Sequence, residues 1–345
     1  MEKSNPAPTS PPRLTRRQTL GAVMALGLQP FGAAARDAAS AAVIEPAGAA
    51  LWRLLDPAAV TTTLYAEGRW CEGPVWSPAD AGLVFSDVRA NRQLVVRGNG
   101  RTATVRDPSN NSNGNAIDRR QRLLSCEHRG RAVVRRETDG RWSTLVDRYQ
   151  GRRLNSPNDL AVAGDGSIWF TDPVFGIAQP DEGIQAEPEQ RFRHVFRLDA
   201  DGRLGAVSDT FDQPNGIAFS PDFRTLYVSE AGAALDPDGG GREIRAFDVQ
   251  GDGTLRRERV FATLEAGVPD GLATDENGCL YAATGDGVRI WDAGGEPLGL
   301  IRTATACGNV AFGAGDGRTL FICCGPRVLA LPMRVRGAGL WSTTR

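Results

Sequence analysis

Six times along the chain, a polar residue followed by Gly, Asp or Asn opens a run of alternating apolar and polar positions. A turn follows, and a second apolar run closes the unit. The first copy runs from Cys71-Glu72-Gly73-Pro74-Val75-Trp76 through a turn at 77–80 to Leu83-Val84-Phe85-Ser86-Asp87. Asn113-Gly114-Asn115-Ala116-Ile117 leads likewise to Leu123-Leu124-Ser125-Cys126-Glu127-His128, and Asn158-Asp159-Leu160-Ala161-Val162 to Ile168-Trp169-Phe170-Thr171-Asp172. Asn215-Gly216-Ile217 leads to Leu226-Tyr227-Val228-Ser229-Glu230, and Asp270-Gly271-Leu272 to Leu280-Tyr281-Ala282. A degenerate sixth copy starts at Gly308-Asn309-Val310. Period-two alternation broken by Asp, Gly, Pro or Asn is the pattern of a β-hairpin. Counted from Glu72, Asn113, Asn158, Asn215, Asp270 and Gly308, successive copies lie 41, 45, 57, 55 and 38 residues apart. Further strand-like runs at 93–96, 195–198 and 244–248 fill the gaps. Four strands in each of six repeats predict an all-β, six-bladed β-propeller. A β-sandwich does not repeat one hairpin six times, and parallel β-helix repeats are far shorter.

The inner strands of a propeller converge on a central channel, so the residue opening each of them lies near one mouth. Those residues are two carboxylates (Glu72, Asp270), three amides (Asn113, Asn158, Asn215) and Gly308. Such a ring offers oxygen donors without imidazole or thiolate. Hard oxygen ligation suits one divalent cation, Ca²⁺ first, with Mg²⁺, Mn²⁺ and Zn²⁺ behind it. Two carboxylates neutralise its charge and the amides complete the ring. Turn capping accounts for Asn or Asp in one or two copies, but not for Glu72.

Residues 1–41 read differently. A Pro-rich polar start leads to Arg16-Arg17-Gln18-Thr19-Leu20, an apolar stretch at 21–28 and the small residues Ala33-Ala34-Ala35. This is the layout of an export signal of the twin-arginine type, with cleavage expected after Ala35 or Ala41. It implies contact with the export machinery, a periplasmic location and a propeller domain spanning 42–345. The net charge of -1, from 40 basic and 41 acidic residues, leaves no basic field for nucleic acid. No uncharged apolar stretch reaches the roughly 18–20 residues of a membrane span. Cys71, Cys126, Cys279, Cys307, Cys323 and Cys324 show no zinc spacing. Their spacing leaves buried thiols and one or two bridges both open, and fixes no pairing.

Glu72-Gly73-Pro74, Asn155-Ser156-Pro157-Asn158-Asp159, Gln213-Pro214-Asn215-Gly216 and Pro269-Asp270-Gly271 stand in the order seen in a known family. Over roughly residues 65–330 the chain resembles the senescence marker protein, gluconolactonase and regucalcin family. Cys126-Glu127-His128 and Thr171-Asp172-Pro173 resemble its bacterial gluconolactonase branch. The resemblance implies a six-bladed propeller with one catalytic divalent metal, and Glu72, Asn158, Asn215 and Asp270 match its ligands. In some relatives the residue matching Asn158 contacts substrate instead. The regucalcin branch has an Arg two residues before that Asn, where this chain has Ser156. The resemblance also implies that Asp270 shuttles protons, and that the substrate is a sugar lactone such as glucono-1,5-lactone, opened to its aldonic acid.

Asn113, Asp159, Glu127 and His128 are the candidate substrate contacts. Asp159 reads equally as a turn residue bonded to local backbone. The end of the second hairpin, Cys126-Glu127-His128, is expected away from the Asn113 turn. Residues 178–190, rich in carboxylates, are expected as a solvated loop over or beside the channel, and Asp238-Gly239-Gly240-Gly241 as an outer-blade loop. There is no G-x-S-x-G elbow for a serine hydrolase. The rival readings are another lactone, ester or organophosphate hydrolase on the same metal ring, and a non-catalytic ligand-binding propeller.

Overall fold

The computed structural model describes Met1 and residues 42–339, so the expected twin-arginine segment lies outside the described residues. Each predicted hairpin forms the inner half of an antiparallel blade, and the six blades follow one another along the chain. The inner strands of blades 1 to 6 are Cys71–Ser77, Ser112–Ile117, Leu160–Val162, Pro214–Phe219, Pro269–Thr274 and Cys307–Gly313. The second strands are Gly82–Asp87, Leu123–Glu127, Ile168–Thr171, Thr225–Glu230, Leu280–Thr284 and Thr319–Cys324. Two strands outside the repeat complete the ring. Thr62–Tyr65 pairs with Arg327–Pro332 as the outer strand of blade 6, tying the start of the domain to its end. Val43–Pro46 adds a fifth strand to blade 5.

The core lies between blades, where their apolar faces meet. Trp76 of blade 1 stacks on Phe321 of blade 6 at 6.1 Å. Trp169 and Phe219 meet edge-on across blades 3 and 4, as do Tyr281 and Phe312 across blades 5 and 6. Such aromatic pairs combine large apolar burial with a preferred geometry.

A polar device recurs at the channel mouth. The residue ending a second strand faces the position just before the channel residue: Asp87 opposite Cys71, Glu127 opposite Ser112, Glu230 opposite Pro214. In blade 1, Asp87 Oδ1 accepts the N–H groups of Arg69 and Trp70 at 2.9 and 3.1 Å. In blade 3, Asp172 accepts those of Asn155, at 2.8 Å, and Ser156. In blade 4, Glu230 accepts those of Asp212, Gln213 and Gly232 at 2.7, 2.8 and 2.8 Å. In blade 2 Glu127 holds the Arg106 and Asn110 side chains, whereas in these three blades the carboxylate fixes the two peptides leading towards its own channel residue. The hydroxyl beside it reaches the next blade. Ser86, Thr171 and Ser229 donate to the carbonyls of Asn113, Asn215 and Asp270 at 2.8, 2.6 and 2.8 Å. The loop containing 238–241 is not peripheral as expected. It joins the second and third strands of blade 4 and folds back onto this clamp, where a Cβ on Gly241 would lie 2.5 Å from Glu230.

Glu230 is 1% exposed and holds three backbone donors. Glu230→Ala should therefore lower unfolding free energy by about 3–5 kcal/mol, read from the urea midpoint. Glu230→Gln, which keeps an acceptor, should lose less, and equal losses would show that the hydrogen bonds are not what matters.

Candidate active site

Glu72, Asn113, Asn158, Asn215 and Asp270 meet at one mouth of the channel. Four of them are buried and Asp270 is half-buried. The spacing between them is set by the residue that follows each. A Cβ on Gly73 would lie 2.2 Å from the Asn113 carbonyl, and one on Gly216 2.1 Å from that of Asp270. Gly114 and Gly271 abut the next blade equally closely, against Asp159 and Asn309. Glycine at these positions lets the inner strands crowd the axis. Only Asp159 and Asn309 keep side chains at this level. They come from blades 3 and 6, which face each other across the ring, and Asn309 Nδ2 donates to Asp159 Oδ2 at 3.3 Å. Asp159 Oδ1 also accepts the Leu160 N–H at 2.9 Å, so its local-turn reading holds alongside this strut. Beyond the strut, the channel opens into a cavity of about 610 Å³ lined by Trp76, Ile117, Val162, Phe219 and Phe312. Its lining carries little chemistry beyond its polar floor.

His128 lies beside Asn113, correcting the expected separation. The hairpin is antiparallel with Ser112 opposite Glu127, so the end of its second strand returns to the start of its first. Fully buried, His128 lies behind the ring. Its Nε2 accepts from Asn113 Nδ2 at 3.2 Å and from Asn158 Nδ2 at 3.4 Å, while Nδ1–H donates to the Glu182 carbonyl at 3.2 Å. That tautomer follows from the amide donors around Nε2. Burial holds the imidazole below its ordinary pKa, keeping it neutral as this network requires. By engaging the amide nitrogen, His128 leaves the Asn113 oxygen without a partner among the described residues. Glu127 does not face the site as expected, because its oxygens are taken by Arg106 and Asn110 in the blade 2 version of the clamp.

Two residues of the site were not legible as such in the sequence. Asn309 lay in the degenerate copy, one place after its Gly. Glu182 lies in the 178–190 loop, which crosses the mouth with Glu182 buried and residues 184–189 exposed. The Glu182 carboxylate pairs with Arg89 at 3.1 Å, and Arg89 covers the Trp70 ring at 5.0 Å. Trp70 Nε1–H in turn donates to Glu72 Oε1 at 3.2 Å.

Among the described residues, the ring has no counter-charge. Burial pushes Glu72 up to about 8, and the acting charges, those of Asp159 and Glu182, are negative. Asp270 is likewise raised by burial, then by Glu72, Asp159 and Glu182, with an Asn215 hydrogen bond opposing. Asp159 is pushed up to about 6 by burial. The oxygens of Asn113 and Asn215 are buried and accept no hydrogen bond. Among the described residues, no group of three or more His, Cys, Asp or Glu side chains is arranged to hold a metal. The donors here are two carboxylates with amides, and their orphaned oxygens and uncompensated charge fit a hard divalent cation.

Gly308 opens the ring on one side, where a Cβ would lie 2.0 Å from Glu72 Oε1. Gly308→Ala should displace that carboxylate, a flexible side-chain end, and weaken divalent-cation affinity roughly 10–100-fold with little change in unfolding midpoint. Unchanged affinity by calorimetry would contradict this. Because burial raises the carboxylates of Asp159 (to about 6) and Glu72 (to about 8), the stability they contribute is present at low pH and lost as pH rises through that window. In chelator the melting midpoint should fall from pH 5 to 8, and a divalent cation should flatten the slope. A flat profile in chelator would mean that the charges are already compensated.

Comparison with known proteins follows the same lines. The family model described as the SMP-30/Gluconolactonase/LRE-like region matches residues 70–325. A gluconolactonase of Zymomonas mobilis is 32% identical over 308 residues, covering 82% of this chain and 84% of its own. A pentonolactonase of Haloferax volcanii is 30% identical, covering 76% and 84%. The solved structure of a gluconolactonase from Xanthomonas campestris is 43% identical, with a TM-score of 0.78 over 84% of this chain and 94% of that one. With its propeller, its ring of channel residues and these relatives along most of its length, the chain belongs to the SMP-30/gluconolactonase/LRE-like family and is a lactone-hydrolysing enzyme.

Proposed function

We propose that this enzyme opens a sugar lactone of the glucono-1,5-lactone type to its aldonic acid, with a divalent cation held by Glu72, Asn158, Asn215 and Asp270. The observation that carries the reading is a largely buried ring of oxygen donors in which, among the described residues, the two carboxylates have no cationic partner and the amide oxygens of Asn113 and Asn215 are unpaired. When bound, the cation supplies Lewis acidity toward the lactone carbonyl and lowers the pKa of water; Ca²⁺ matches the all-oxygen donors best.

The chain's own residues do the rest. Asp270 takes the proton from the attacking water and returns it to the ring oxygen as the C–O bond breaks. Half-buried at the mouth, it is the most accessible carboxylate of the ring. His128 sets the orientation of the Asn113 and Asn158 amides from behind. The 178–190 loop, held by the Glu182 ion pair with Arg89, narrows the mouth and keeps bulk water from the reacting centre. The Arg16-Arg17 segment supports export to the periplasm by the twin-arginine route.

Hydrolysis of glucono-1,5-lactone, followed as acid release after chelation and re-addition of Ca²⁺, Mg²⁺, Mn²⁺ or Zn²⁺, tests the reading. Turnover should return with metal, Ca²⁺ being most effective. Asp270→Asn should lower kcat by about 10²–10⁴-fold with the fold intact. Full turnover in that variant would remove Asp270 from the mechanism, and no turnover with any metal would overturn the substrate class.

A further inference from the structure

Blade 6 breaks the clamp pattern. The position facing the residue before the channel holds Asp87, Glu127 and Glu230 in blades 1, 2 and 4, and Asp172 serves blade 3. In blade 5 it is Thr284, opposite Pro269, and its hydroxyl bonds within its own hairpin, to the Gly287 carbonyl. In blade 6 it is Cys324, and the residue opposite is Cys307.

We propose that Cys307 and Cys324 form a cross-strand disulfide that fastens the channel end of blade 6, where the carboxylate clamps fasten blades 1 to 4. Directly opposed residues on an antiparallel ladder have Cα atoms about 4.5–5.5 Å apart, inside the roughly 4.4–6.8 Å window of disulfides. Each thiol shifts the ionisation of the other, as adjacent groups do. They lie in one hydrophobic cluster, whereas Cys71 and Cys323 lie in another, because successive side chains of a strand point to opposite faces. Cys279 shares their cluster but belongs to blade 5, and the register of blade 6 sets Cys307 opposite Cys324 alone, which selects this pairing. Both thiols are buried in reduced form, beneath a connector whose Ala304 and Thr305 are exposed. Cys307 and Thr305 beside it hold the Cys324 thiol below its ordinary pKa, which favours the Cys324 thiolate. The bond would anchor Cys307 immediately before Gly308, the floor on which the Glu72 carboxylate rests.

With a small disulfide such as oxidised glutathione as oxidant, the chemistry balances. The Cys324 thiolate attacks one glutathione sulfur, expelling a glutathione thiolate and leaving a mixed disulfide. Cys307 then attacks the Cys324 sulfur and expels the second glutathione. Two electrons pass from the protein thiols to glutathione disulfide, and the two protons leave with the reduced glutathione.

The test uses the folded full-length chain incubated with oxidised glutathione, and separately the chain refolded from denaturant in a glutathione buffer. Free thiols should fall from six to four, and tryptic peptide 303–318 should appear linked to 319–327 in mass spectra. Cys324→Ser should abolish the link and Cys323→Ser should retain it. The oxidised protein should melt about 5 °C above the reduced one, a difference that Cys324→Ser removes. A Cys71/Cys323 link, or six free thiols after both treatments, would overturn the proposal. Because the readout is covalent, it stands or falls apart from the lactone chemistry.

Discussion

The architecture turns on how closely six inner strands approach one axis. At the level just past the channel residues there is no room for six side chains, and four of the positions are glycine. The two that are not, Asp159 and Asn309, face each other and meet across the axis. This crowding brings five polar side chains from well-separated parts of the sequence to one mouth. It also closes that mouth off from the apolar channel beyond. A side chain added at any of the four glycines would collide with backbone or with the strut of the neighbouring blade, so the ring is a cooperative unit.

The propeller supports this crowding with paired residues at the ends of its second strands. In Ser86-Asp87, Thr171-Asp172 and Ser229-Glu230, the carboxylate satisfies backbone donors of its own blade, and the hydroxyl bonds the channel carbonyl of the next. Rigidity at the mouth thus comes from hydrogen bonds that leave the functional side chains untouched. The cost is carried by the ring itself. Glu72 and Asp270 are held near each other with little access to water, a state that favours their neutral forms. His128 adds the same kind of support from behind, its Nε2 accepting from two amides while its Nδ1–H is anchored on the Glu182 carbonyl.

Much of this was legible because a propeller repeats itself. Period-two alternation and a recurring turn gave the blades, and the residue opening each copy gave the ring, since equivalent positions in a closed repeat share a radius from the axis. What could not be read was anything depending on which strand ends lie together. His128 was expected far from Asn113 because distance was counted along the strands, whereas antiparallel pairing brings them within 3.2 Å. Glu127 was expected at the substrate, and the fold instead engages it with Arg106 and Asn110. The strands Val43–Pro46 and Thr62–Tyr65 carry no repeat signature, because they complete blades begun at the other end of the chain.

By itself the sequence determined the fold class, the number of blades and the oxygen-only character of the site, since these follow from local periodicity and from residue type at equivalent positions. Only the tertiary structure decided that Asp159 and Asn309 bridge the axis, that His128 orients amides rather than standing in the ring, that Glu182 reaches the mouth, and that Cys307 faces Cys324. Each of these joins residues through ring closure or strand register, and contacts of that kind are set by three-dimensional packing rather than by any pattern along the chain.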